Sequence, residues 1–183
     1  IVEIWGIEPS PTLVGLSWDS STGVISGTPN INMTRTEYTL WANNTGGDVS
    51  HKFNITINEP IVTLVYTPAA QTFVRSTAIT SWHATVTGGN VETWGIEPSL
   101  AGTGLSFVNG VISGTPSINM TQTDYVVWAN TTGGETNFTI TITNNEPGVI
   151  LDYIPENVIV TIGDPMTALT PLVSNGSVEE WSI

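Results

Sequence analysis

The chain has 183 residues, with sixteen acidic residues against three Lys or Arg, a formal net charge of −13 and no cysteine. That charge repels nucleic acid phosphates and anionic headgroups, and the lack of thiols excludes disulfides and thiolate metal sites. No apolar run reaches membrane-spanning length, so no direct membrane insertion is expected of this segment. Charged residues make up only 10%, which describes a Ser/Thr/Asn/Gly surface rather than an acidic disordered tail.

In chain order, Val2–Ser10 comes first and returns as Val91–Ser99, with Trp5-Gly6-Ile7-Glu8-Pro9 matched by Trp94-Gly95-Ile96-Glu97-Pro98. Gly23–Pro29 returns as Gly110–Pro116; the first offset is 89 positions and the second 87. Self-similarity at a fixed long period is the mark of a tandem array of small domains. Next, Tyr38–Asn43 alternates as a half-buried strand does, with Tyr38, Leu40 and Ala42 inward and Thr39, Trp41 and Asn43 outward. Its copy is Tyr125–Asn130. A glycine pair follows each, Gly46-Gly47 and Gly133-Gly134, and supplies the positive φ a tight hairpin demands. Phe53, Ile55 and Ile57 then alternate with polar residues, as do Phe138, Ile140 and Ile142. A third copy opens at Val178-Glu179-Glu180-Trp181. With no helical period anywhere, these short strands predict an all-β fold of tandem two-sheet sandwiches. Trp5, Trp94 and Trp181 fall at one repeat position and are expected to be packing residues, as are Trp18 and Phe107.

The run from Gly15-Leu16-Ser17-Trp18 through Gly27-Thr28-Pro29 to Tyr38–Asn43 and its Gly-Gly hairpin resembles the putative-Ig family of prokaryotic surface proteins, akin to cadherin-like β-sandwiches. The second copy matches from Gly104-Leu105-Ser106-Phe107 to Trp128, so the resemblance covers nearly the whole chain. It implies a domain phase. Residues 1–59 are the C-terminal part of one Ig-like repeat, 60–146 a complete repeat, and 147–183 the N-terminal part of a further one. Half a sandwich exposes an apolar face and an unpaired edge. Two explanations are open: an arbitrary cut from a long repeat protein, or completion of each fragment by a neighbouring subunit through strand addition. The second predicts that residues 148–175 pair with strands equivalent to 36–58.

Seven asparagines satisfy the N-glycosylation acceptor pattern: Asn32, Asn43, Asn54, Asn119, Asn130, Asn137 and Asn175. Alternation places Asn43, Asn54, Asn130 and Asn137 on the solvent face. Trp41 and Trp128 share that face two residues from an acceptor, which marks a contact surface or a platform for a sugar, against the plainer reading of a core position. The resemblance implies calcium at the domain junctions, where Glu59, Glu146, Asp152 and Glu156 are the candidate ligands; no other cofactor is expected. Catalysis finds no support, since His51 and His83 have no counterparts in the other repeat and no nucleophile elbow or phosphate loop occurs. With Lys52 the single lysine, Lys-Asn cross-links are closed to most of the array.

The expected function is that of a structural subunit of an extracellular, glycosylated filament, stalk or surface layer. Its partners would be copies of itself and covalent N-glycans, with donor-strand complementation between subunits. An adhesin or carbohydrate-binding surface module is the alternative, and spacer domains of a larger secreted enzyme the second.

Overall fold

Alternating side chains interrupted by glycine turns produce fifteen strands and no α-helix among the described residues of the computed structural model, which are 2–176, 178 and 180. The third-copy residue Trp181 lies outside them. The chain divides into two units, one of residues up to 62 with 88–92 and 130–135, the other of 63–87, 93–129 and residues from 136 on.

The first unit holds β1 (Ile4–Glu8), β2 (Leu16–Asp19), β3 (Val24–Gly27), β4 (Met33–Asn44) and β5 (Gly47–Ile57). They form a three-stranded sheet, β1-β4-β5, and a two-stranded ribbon, β2-β3. Antiparallel register sets Trp5 opposite Ala42, Gly6 opposite Trp41 and Leu40 opposite His51. Tyr38 is buried and stacks on Phe53 with ring centroids 5.8 Å apart. Of the Gly46-Gly47 pair, the second takes positive φ, and so does the second of Gly133-Gly134.

The second unit continues with β6 (Thr63–Tyr66), β7 (Ala70–Val74), β8 (Trp82–Thr87), β9 (Thr93–Glu97), β10 (Leu105–Val108), β11 (Val111–Gly114), β12 (Met120–Thr131) and β13 (Gly134–Asn145). These make two four-stranded sheets, β10-β11-β8-β6 and β7-β13-β12-β9. The edge pair β7 and β13 runs parallel. Leu64, Tyr66, Trp82 and Ile112 from one sheet meet Tyr125, Val127, Ala129, Ile140 and Ile142 from the other, all buried, as alternation requires. Aromatic pairs join the two layers: Tyr66 with Phe138 at 6.2 Å, Phe73 with Trp82 at 6.4 Å, and Trp94 with Phe107 at 6.3 Å. The Tyr66 hydroxyl donates to the Gly110 carbonyl at 2.8 Å, and burial pushes its pKa up to about 12.

The β10–β11 turn is Asn109-Gly110, both at positive φ, the combination a two-residue primed hairpin turn needs. Its counterpart between β2 and β3 is longer by two residues, and this insertion changes the repeat offset from 89 to 87. There the Asp19 carboxylate accepts from the Ser21 amide at 2.8 Å and its hydroxyl at 2.6 Å. Those bonds lower the Asp19 pKa to about 2.

Two strands remain, β14 (Ile150–Tyr153) and β15 (Pro171–Ser174). They pair Leu151 with Val173 and Tyr153 with Pro171, which is the β6–β8 register, Leu64 with Val86 and Tyr66 with Ala84, displaced by 87 positions. Surroundings differ sharply. Leu64 is 4% and Tyr66 1% exposed, whereas Leu151 is 52% and Tyr153 41% exposed.

Candidate functional surfaces

The sequence places four kinds of candidate on the fold: outward tryptophans, acceptor asparagines, junction carboxylates and the apolar face of β1-β4-β5. Trp41 and Trp128 sit on long hairpin strands between inward-facing neighbours, and both side chains are half-buried. What covers them is the adjacent strand. A Cβ on Gly6 would run into the Trp41 ring, and one on Gly95 into that of Trp128. Each indole therefore lies across a glycine of the neighbouring strand, which explains why glycine follows Trp5 and Trp94. Those two rings in turn pack on a turn, where a Cβ on Gly23 or Gly110 would come within 2.8 Å or 2.7 Å.

All seven acceptor asparagines, Asn32, Asn43, Asn54, Asn119, Asn130, Asn137 and Asn175, are exposed. Ser177, which completes the last acceptor tripeptide, lies outside the described residues. The Asn119 amide donates to the Glu146 carboxylate, so that side chain is engaged.

The junction carboxylates have separate surroundings. Glu146 pairs with Arg75 at 2.9 Å. The Glu59 backbone amide donates to the Thr132 hydroxyl at 2.7 Å, and the Asp152 carboxylate accepts from the amide of Tyr153 at 2.8 Å; Glu156 is exposed. No group of three or more acidic or histidine side chains able to hold a metal ion gathers among the described residues.

The fourth surface belongs to the first unit. Trp5, Leu40, Ala42, Val49 and His51 lie along the inward face of β1-β4-β5 and border a cleft of about 240 Å³. In the second repeat, the position of His51 is held by Phe138, against which Tyr66 packs. Position 57 shows a further contrast. Its counterpart is Asn144, buried with both amide atoms unpartnered, where the first repeat has an isoleucine. Alternation alone would place residue 144 inward, but it offers no reason for an amide there.

Residues 14–58 match the family described as "Putative Ig domain". Among solved structures, the chain is similar to the N-terminal four Ig domains of Dscam1 isoform 9.44, with 14% identity over 71% of this chain and 32% of that one and a TM-score of 0.44. It is also similar to the immunoglobulin domains 1–5 of Sidekick-1, with 13% identity, coverage of 77% and 32%, and a TM-score of 0.38. The chain thus spans about a third of the length of these structures. No curated protein matches it. The family match lies in the first repeat, and the second repeat has the same order of strands.

Proposed function

We propose that the chain is a non-catalytic structural subunit of an extracellular, N-glycosylated filament, stalk or surface layer, in which Ig-like repeats follow one another and copies associate. The observation that carries this reading is the repetition of strand register at 87 positions, from β6–β8 to β14–β15. Exposure of the seven acceptor asparagines supports glycan attachment, and a polar surface poor in lysine suits an extracellular setting. Domain boundaries at 59/60 and 146/147 belong to the same reading, as would a junction calcium ion on Glu59, Glu146, Asp152 or Glu156. Negative-stain microscopy of the purified chain tests it: polymers are expected, and a monodisperse monomer at high concentration contradicts it. Intact-mass and peptide mass spectrometry of native material test the glycans, with unmodified Asn43 and Asn130 as the contrary result.

A second reading, an adhesin, is favoured by the outward placement of Trp41 and Trp128 at matched positions. Binding of monomers to a glycan array, lost in Trp41→Ala and Trp128→Ala, would support it.

A further inference from the structure

Two of the seven acceptor tripeptides lie in clefts. Asn32 and Thr34, the first and third residues of one tripeptide, line a cleft of about 690 Å³ together with Met33, Thr56, Ile57 and Asn58. Arg35, Glu92 and Thr132 complete its wall, and all of these residues belong to the first unit. At the matching positions of the second unit, Asn119 and Thr121 line a cleft of about 450 Å³ with Met120, Thr143 and Asn145. Both volumes fall in the range of ligand-binding clefts, roughly 300–1,000 Å³. None of the other five acceptors, Asn43, Asn54, Asn130, Asn137 and Asn175, lines either one.

Met33 and Ile57, partners across β4 and β5, are half-buried, whereas the polar residues that line the first cleft with them are exposed. An apolar base with a hydrogen-bonding rim suits a pyranose ring, which presents C–H faces and hydroxyl edges. Lys52 pairs with Glu37 and Arg75 with Glu146, while Arg35 has no ion-pair partner among the described residues. Its guanidinium brings five donors and no acceptor to the wall. The Thr132 hydroxyl accepts from the Glu59 amide at 2.7 Å and keeps its own proton to donate. In the second cleft the demand is plainer. Asn144, the counterpart of Ile57, lines it at 2% exposure with both amide atoms unpartnered. A buried amide without hydrogen bonds is destabilising, and a sugar hydroxyl can donate to its oxygen or accept from its nitrogen.

Resting on the glycoprotein reading, we infer that these clefts seat the first sugars of the glycans on Asn32 and Asn119, which pack against the protein while the other five glycans extend into solvent. Attachment joins Nδ2 to the anomeric carbon of a glycosyl diphosphate donor, with release of one amide proton and the diphosphate. Nδ2 keeps its second hydrogen, so the hydrogen bond from Asn119 to Glu146 survives attachment. Arg35 and Thr132 donate to the sugar on Asn32, and the sugar on Asn119 gives the Asn144 amide its partners.

The full chain expressed in its natural host, compared with the same chain from a host without N-glycosylation, tests the seats, with occupancy of each acceptor read by peptide mass spectrometry. In the glycosylated form, Asn32→Gln should speed hydrogen exchange of the amides of residues 56–58 at least about tenfold. Asn43→Gln should leave exchange at its cross-strand neighbours 47–49 unchanged, and neither substitution should alter exchange in the unglycosylated form. Asn144→Ile should reverse its sign between the two forms. Without glycans it raises the unfolding midpoint by about 4 °C or more, because an unpartnered buried amide is removed; with them it lowers the midpoint, because bonds to the sugar are lost. Unchanged exchange at 56–58 with Asn32 occupied overturns the first seat, and an equal rise in midpoint in both forms overturns the second. Glycans confined to the other five acceptors overturn both seats and leave the glycoprotein reading intact, whereas a natural-host chain with no glycan at any acceptor overturns the seats and that reading together.

Discussion

β5 and β13 are two copies of one strand in two environments. Phe53 and Ile55 of β5 are half-buried, while Ile140 and Ile142 at the same positions of β13 are fully buried. Local pattern is shared, since both alternate apolar and polar residues and both leave a Gly-Gly hairpin. What differs is the neighbour: β13 has β7 on its edge and β6 across the sandwich, and no described strand takes those places beside β5. Alternation decides which way a side chain points, and the opposing sheet decides how much water it loses.

The comparison is broken most strongly by emptying the core on each side of it. Ile140→Ala should cost about 2–5 kcal/mol in denaturant unfolding of the complete repeat, because a packed interior collapses poorly around a lost side chain. Phe53→Ala should cost under about 1 kcal/mol despite the larger truncation, since that ring is already partly wet; equal costs would show the two strands to be equally enclosed. Next comes the glycine beneath each indole. Gly95→Val should destabilise by about 1–3 kcal/mol through the clash with Trp128, and a double-mutant cycle with Trp128→Ala should recover part of the loss.

Much of this was legible beforehand. Tyr125, Val127 and Ala129 point inward as the pattern of Tyr38, Leu40 and Ala42 predicts, because period-two burial is a local property of a strand. The outward direction of Trp41 was legible for the same reason. That Gly6 lies under it was not, because this depends on a register between strands more than thirty residues apart. The family match over residues 14–58 agrees with the resemblance drawn from Gly15 to Asn43. Alternation places residue 144 inward, but that an amide sits there with both polar atoms unpartnered had no local signal.

Smaller effects sharpen the contrast further. Tyr66→Phe should cost on the order of 1 kcal/mol by removing one of the two donors to the Gly110 carbonyl, the other being the Ala84 amide at 2.8 Å. The raised Tyr66 pKa also fixes a sign: its contribution is fully present below pH 10 and is lost as pH rises through about 12. Tyr66→Phe should therefore flatten the alkaline limb of a stability–pH curve between those values. Smallest is Asp19, whose lowered pKa contributes stability above its ordinary value of 3.8 that is lost as pH falls through about 2. Asp19→Asn should lower stability slightly at neutral pH, where the ionised carboxylate holds Ser21, and leave it unchanged near pH 2, so that the acid limb flattens.

The parallel pairing of β7 with β13 carries a mechanical consequence. A domain whose second strand, β7, and last strand, β13, run side by side in one direction is entered at one pole and left at the other. Tension drawn along the backbone then loads all five paired residues of that seam in shear at once, rather than peeling them singly. Such a module resists stretching until the whole seam slips, which is the response expected of a link in a load-bearing tether.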